Sequence, residues 1–178
     1  MEAFDIVLPQ VSSSDWACSL DLRDAYLHVP VHPDSQRLLG FQFGETVLEY
    51  RCLPFGLESS PWLFSRVVQE AISFIRRQGI RIFLYLDGWL LLAGSPELLR
   101  PLTSQVLSLS ADLGLLIDLE ISRLEPSRFP VFLGASIGIP TRVAGPTSHR
   151  SRRSGTWLLA FEITRWPRLI CGWYACVI

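Results

Sequence analysis

Lysine is absent from this 178-residue chain, whose sixteen basic residues are all arginine. That absence excludes Schiff-base chemistry and any lysine proton donor, because an arginine guanidinium stays protonated. Charge of either sign is scarce, at 19% of residues, and the net value is −1. No global basic field therefore advertises nucleic-acid binding, and any such binding must be local. Cysteine is limited to Cys18, Cys52, Cys171 and Cys176. These make no C-x-x-C pair and no zinc-ligand spacing with the histidines, which favours reduced thiols in an intracellular protein. No secretory signal is expected from "MEAFDIVLPQ", which has neither a basic start nor a long apolar core. The apolar tail is broken by Glu162, Arg165, Pro167 and Arg168. It never reaches the roughly 20 residues that a membrane span requires.

What is present is a hydrophobic content of 49% in a length that suits one domain with a sizeable core. "WACSLDL" reads as a short buried strand, and "RDAYLHV" as a helical bend ended by Pro30. "LLGFQF" and "VLEYRCL", separated by Gly44-Glu45-Thr46, form an expected hairpin. The period then changes. Leu63, Phe64, Val67, Val68, Ala71, Ile72 and Ile75 recur at three and four, which predicts a helix with Ser60 as N-cap, Pro61 at its first position and Gly79 beyond its end. A second helix is expected from Ser95-Pro96-Glu97 to about Leu113, stopped by Gly114. "LLIDLEISRLE" and "VFLGASIG" read as a β-rich end. Beyond Pro140, "TRVAGPTSHRSRRSG" is polar and turn-rich and reads as a linker or disordered tail. The resulting order predicts an α+β domain, an antiparallel sheet with helices packed on one face.

One carboxylate stands out inside "RIFLYLDGWLLLA". Asp87-Gly88 between two β-prone runs is a strong signal for a type I′ hairpin turn. It also suits a metal ligand at a hairpin tip, provided a second acidic residue meets it. Asp21, at the end of "WACSLDL", is the candidate partner. Two such carboxylates at neighbouring strand ends could hold Mg²⁺ or Mn²⁺. By spacing alone, a cap or a solvated acid is the commoner use.

"LDLRDAYLHVPVHPDS", "YRCLPFGLESSPWLFSRVV", "YLDGWLLLA" and "FLGASIG" occur in that order. Together they resemble the polymerase motifs of a reverse transcriptase, with the flavour of gypsy-like and especially DIRS-like retrotransposons. The resemblance covers roughly Phe4 to Pro140. It implies a reverse-transcriptase-like palm with partial fingers in residues 1–140, and leaves 141–178 as linker and unassigned tail. It makes Asp21 and Asp87 the catalytic metal ligands, with Mg²⁺ or Mn²⁺ as cofactor. The backbone at Arg23, Asp24 and Ala25 would lie beside the incoming deoxynucleotide, with Tyr26 as steric gate. Phe55 and Gly56 would form a loop against the nascent base pair. Phe132, Leu133 and Gly134 would begin the primer grip, and the partners would be an RNA or DNA template-primer and deoxynucleotides, with no membrane.

Three departures from the family pattern bear on activity. Gly88 stands where a second hairpin aspartate belongs. Ile121 stands where the family usually carries the lysine that protonates departing pyrophosphate. The upstream fingers are expected to be largely missing. The implied activity is RNA-directed DNA polymerisation, weak or absent. Two alternatives are a non-catalytic nucleic-acid-binding remnant, using Arg51, Arg76, Arg77, Arg150, Arg152 and Arg153 on phosphates, and a non-functional fragment. Arg76 and Arg77 also suit the C-terminus of a helix.

Overall fold

The structure is a computed structural model and describes residues 2–146 and 175–177. The chain forms two compact units, one from Met1–Ala25 with Ser65–Ser154, the other from Tyr26–Phe64 with Gly155–Ile178.

In the first unit, β1 (Trp16–Asp21), β4 (Arg81–Tyr85), β5 (Gly88–Ala93) and β6 (Arg123–Ser127) make an antiparallel sheet in the order β4-β5-β1-β6. The register sets Ala17 against Leu92, Ser19 against Leu90 and Asp21 against Gly88. Because side chains alternate along a strand, these residues share one face. Ala17, Phe83, Leu90 and Leu92 on that face join one buried core with Val7 of α1 (Phe4–Val7), Val11, and Phe132, Ile137 and Ile139. At its far edge the Arg81 guanidinium donates to both carboxylate oxygens of buried Asp15 at 2.8 Å.

Helix α4 (Pro96–Asp112) packs against β1, β5 and β6, and the C-terminal end of α3 (Ser60–Arg77) is tied to β4 where Arg76 Nε donates to the Ile82 carbonyl. Along α4, Leu99, Thr103, Val106 and Ser110 are buried at helical spacing. Its start follows expectation, with the Ser95 hydroxyl accepting the Leu98 N–H at 3.3 Å and Pro96 at the first position. Along α3, Val68, Ile72 and Ile75 are buried, and Gly79 (φ +82°) follows the helix end. The expected cap at Ser60 is displaced by one residue. The Ser60 hydroxyl donates to the Pro54 carbonyl at 2.8 Å, and the first helical bond runs from Leu63 N–H to the Ser59 carbonyl.

A second sheet of the first unit contains β7 (Val131–Phe132), β8 (Ala135–Gly138) and β9 (Val143–Pro146). Strand β9 lies beyond the boundary expected at Pro140, so chain pairing continues into the stretch read as linker. Residues 147–174 of that stretch lie outside the described residues. "LLIDLEISRLE" is also less regular than expected: Ile117 makes only an isolated bridge to Leu22, and the strand begins at Arg123.

The second unit contains α2 (Pro33–Gln36) and a sheet of β2 (Gly40–Phe43), β3 (Thr46–Tyr50) and β10 (Ala175–Val177). The β2–β3 hairpin is the one expected, closed by Gly44 (φ +63°) and Glu45. No helix among the described residues is long and apolar enough to cross a membrane.

Candidate active site

Asp21 ends β1, and its backbone is held from both sides. Its N–H donates to the Ser122 hydroxyl at 3.0 Å, and its carbonyl accepts the Asp118 N–H at 2.8 Å. On the opposite edge, the N–H of the next residue, Leu22, donates to the Asp87 carbonyl at 2.9 Å, which sets the chain segments bearing the two expected carboxylates side by side. The β1–β6 pairing is irregular between Ala17 and Ser19 and its register ends at the Ser19–Arg123 pair, so Asp21 lies beyond it. The buried Ser122 hydroxyl meets the Asp21 N–H there, as an otherwise unpaired buried donor requires.

The hairpin turn lies one residue earlier than the Asp-Gly dipeptide suggests. Tyr85 pairs with Gly88, which leaves Leu86 and Asp87 as the turn residues, and Leu86 takes φ +52°. Tertiary pairing overrides local preference here. Gly88 is held in β5 because its other neighbour is Asp21, so the positive φ falls on a leucine, at a cost of order 1–3 kcal/mol. Asp87 consequently stands exposed at the tip, while Gly88 is buried and faces Asp21. A β-carbon added to Gly88 would lie 3.8 Å from Asp21 Oδ1, 3.7 Å from Phe132 and 3.6 Å from the Tyr85 carbonyl.

Asp21, Asp87, Gly88, Phe132, Leu133 and Gly134 all line one open cleft of about 280 Å³. Desolvation by burial, then the carboxylates of Asp87 and Asp118, raise the Asp21 carboxyl above its ordinary value. Phe132, Leu133 and Gly134 reach the cleft because β7 and β8 turn over it, with Leu133 (φ +51°) and Gly134 (φ +71°) as the central pair of a type I′-like turn. Glycine at residue 134 is the expected chemistry for that turn.

Arg23, Asp24 and Ala25 of the first unit do not line this cleft, and Tyr26, Phe55 and Gly56 belong to the second unit. Arg23 is exposed, its N–H is taken by the Leu116 carbonyl at 2.8 Å, and its side chain lies 3.9 Å from Asp24, which has φ +51°. Ala25 is buried. In the second unit the Tyr26 ring packs on Phe55 (4.9 Å between centroids) and Phe64 (5.5 Å). Gly56 has φ +89° with nothing within 4 Å of its would-be β-carbon, so its glycine answers to backbone conformation there rather than to close packing. Arg76 is engaged structurally, donating to the Ile82 carbonyl and pairing with Glu2, and Arg77 lies over the Phe74 ring. Arg150, Arg152 and Arg153 lie outside the described residues.

Sequence reasoning missed Asp118, Ser122 and Arg123. Asp118 begins a tight turn, its carboxylate accepting the Glu120 N–H at 2.9 Å, and it adds negative charge near Asp21. A polar residue breaking the apolar run "LLIDLEIS" was the available signal. Among the described residues no three acidic, histidine or cysteine groups gather into a metal site by themselves. Hard carboxylate oxygens from Asp21 and Asp87 nevertheless suit a divalent ion whose remaining ligands are water or substrate.

The family model for reverse transcriptase (RNA-dependent DNA polymerase) matches residues 5–136. Protein P of duck hepatitis B virus (strain United States/DHBV-16) is 32% identical over 122 residues, covering 67% of this chain and 14% of the viral protein. The Gag-Pol polyprotein of walleye dermal sarcoma virus is 34% identical over 80 residues, covering 44% of this chain and 5% of the polyprotein. In fold, the chain is similar to the foamy viral protease-reverse transcriptase in complex with double-stranded DNA, with a TM-score of 0.72 at 22% identity over 85% of this chain and 26% of that one. Against the foamy viral enzyme in complex with an RNA/DNA hybrid the TM-score is 0.68 at 24% identity, covering 77% and 18%. These likenesses establish the fold as a partial palm, and the chain spans only a small part of each relative. With the match running across the entire four-stranded sheet and both long helices, the chain belongs to the reverse transcriptase (RNA-dependent DNA polymerase) family.

Proposed function

We propose that this chain carries the polymerase site of a retroelement reverse transcriptase, of DIRS-like or gypsy-like kind, in a form impaired for nucleotidyl transfer. Asp21 and Asp87 hold a divalent ion, Mg²⁺ or Mn²⁺, and Gly88 withholds the second hairpin carboxylate. The ion, when bound, neutralises charge on the reacting phosphate. Tyr26 and Phe55 bear on the deoxynucleotide and nascent pair, and Phe132, Leu133 and Gly134 position the primer end of an RNA or DNA template-primer. The protein acts inside the cell, consistent with Cys18 and Cys52 being free thiols.

One observation carries this reading: Asp21 and the bare α-carbon of Gly88 face each other across paired strands at the rim of the cleft that also holds Asp87. A carboxylate lost from that position leaves the strands paired and the cation under-neutralised, and a misplacement of about 1 Å costs about 10²-fold in rate. Calorimetric Mn²⁺ titration of the parent and of Asp21→Asn, beside primer extension, tests it. The parent should bind Mn²⁺, the variant should bind it at least about tenfold more weakly, and extension should be feeble in both. Equal Mn²⁺ binding by the two chains sinks the proposal.

A further inference from the structure

The cleft also contains a cation that its carboxylates leave unused. Arg123 opens β6 opposite Ser19, two residues before Asp21 on β1, and its side chain lines the same cleft as Asp21 and Asp87. Four other arginines of this unit are committed, Arg76 to Glu2 and the Ile82 carbonyl, Arg81 to Asp15, Arg100 to Glu125 and Arg128 to the Ser13 carbonyl, and of the unit's arginines Arg123 is the one that lines this cleft among the described residues. Among the described residues, no hydrogen bond or ion pair ties the Arg123 guanidinium to any group.

A guanidinium and two carboxylates lining one cleft without pairing present both signs of charge to whatever enters. A ligand that satisfies all three carries anionic oxygens for the arginine and a cation for the acids. A metal-bound phosphate has that composition, and the fork of guanidinium donors matches phosphate oxygens. We propose that Arg123 binds a non-reacting phosphate of a metal-bound di- or triphosphate in this cleft, which rests on the reading that Asp21 and Asp87 take the divalent ion. Ile121, at the family's lysine position, lines the same cleft two residues earlier and is exposed. The positive charge thus stands one side-chain repeat further along the chain. The replacement is not equivalent. Arginine holds phosphate charge but cannot deliver the proton that a lysine would give to the leaving group.

The test uses the full chain with inorganic pyrophosphate as probe, titrated calorimetrically with and without Mn²⁺, for the parent, Arg123→Ala, Arg123→Lys and, as an exposed control, Arg66→Ala. Arg123→Ala should weaken pyrophosphate binding by about tenfold or more in the presence of Mn²⁺, since a charge-assisted hydrogen bond is removed. Arg123→Lys should bind between the parent and Arg123→Ala, because the charge is kept while the donor fork is lost, and Arg66→Ala should match the parent. Mn²⁺ affinity itself should be unchanged or slightly tighter in Arg123→Ala, which shows that the cleft is intact. Equal pyrophosphate binding by the parent and Arg123→Ala overturns the assignment, as does a parent that binds Mn²⁺ but no pyrophosphate, and either result leaves the metal reading standing. Pyrophosphate binding that depends on Arg123 but gains nothing from Mn²⁺ upholds Arg123 and instead defeats the metal reading.

Discussion

Gly88→Asp puts a carboxylate on the strand position that faces Asp21, and its consequences follow from the local geometry. Gly88 is not in the left-handed region, so aspartate fits the backbone without strain. Its β-carbon would meet Asp21, Phe132 and the Tyr85 carbonyl at 3.6–3.8 Å, which is ordinary van der Waals contact. The cost is electrostatic. Two unit charges about 4 Å apart repel by about 1 kcal/mol in bulk water and about 4 kcal/mol at an effective dielectric of 20. Asp21 is half-buried, so the metal-free variant should lose about 2 kcal/mol near pH 7, with Asp87 adding to the repulsion. A divalent ion reverses the sign, because the added carboxylate becomes a ligand.

Mn²⁺ affinity should therefore rise about tenfold or more, equivalent to about 1.4 kcal/mol or more, and saturating Mn²⁺ should recover the lost stability. Calorimetric titration and urea unfolding with and without Mn²⁺ measure both effects on one sample. Adding Asp21→Asn to the variant should remove the gain. Equal metal affinity in parent and Gly88→Asp, or a stability loss that Mn²⁺ does not touch, would refute the reasoning and reduce Asp87 to a turn residue.

Two further outcomes concern the frame of the site. The raised Asp21 carboxyl takes up a proton more readily in the folded than in the unfolded chain, so its contribution is full below the ordinary value of 3.8 and is lost as pH rises through the folded value. Asp21→Asn should accordingly be more stable than the parent at pH 7 without metal, with the advantage vanishing below about pH 4; a pH-independent difference in urea midpoints would contradict this. Ser122→Ala leaves the Asp21 N–H without its partner and should cost about 1–3 kcal/mol in urea unfolding, a loss under about 0.5 kcal/mol being the contrary result.

The long helices were legible because their signals are local. Ser95-Pro96 marks a start, Gly79 and Gly114 mark ends, and the apolar spacing between them fixes the buried stripe. Phe132 to Gly134 could be placed at the cleft only through resemblance, since a Leu-Gly turn between short strands carries no address. The hairpin was misread by one residue for the converse reason. Asp-Gly is the better local turn, but the ladder from Asp21 to Gly88 belongs to strands far apart in sequence and moves the turn onto Leu86. Ser122 and Asp118 were invisible for the same cause. Ser122 reaches Asp21 across 101 residues of chain, and nothing within "LEIS" announces such a bond.

If Asp21 and Asp87 form the proposed metal site, the same geometry lets a carboxylate be absent from residue 88 while the fold persists. Asp21 adds to stability only when protonated or matched by a cation, because burial and two neighbouring carboxylates oppose its charge. A second aspartate at residue 88 would deepen that opposition, so glycine there relieves the metal-free fold. The strand pairing that holds Gly88 uses main-chain groups, and Trp89, Leu90, Leu91 and Leu92 beyond it remain fully or almost fully buried. Under the proposed function, stability and metal binding thus pull in opposite directions at this one position. A chain no longer selected for nucleotide transfer would shed the carboxylate first and the sheet last, whereas Ser122 and Phe132, which support the backbone and core, would resist change for reasons independent of activity.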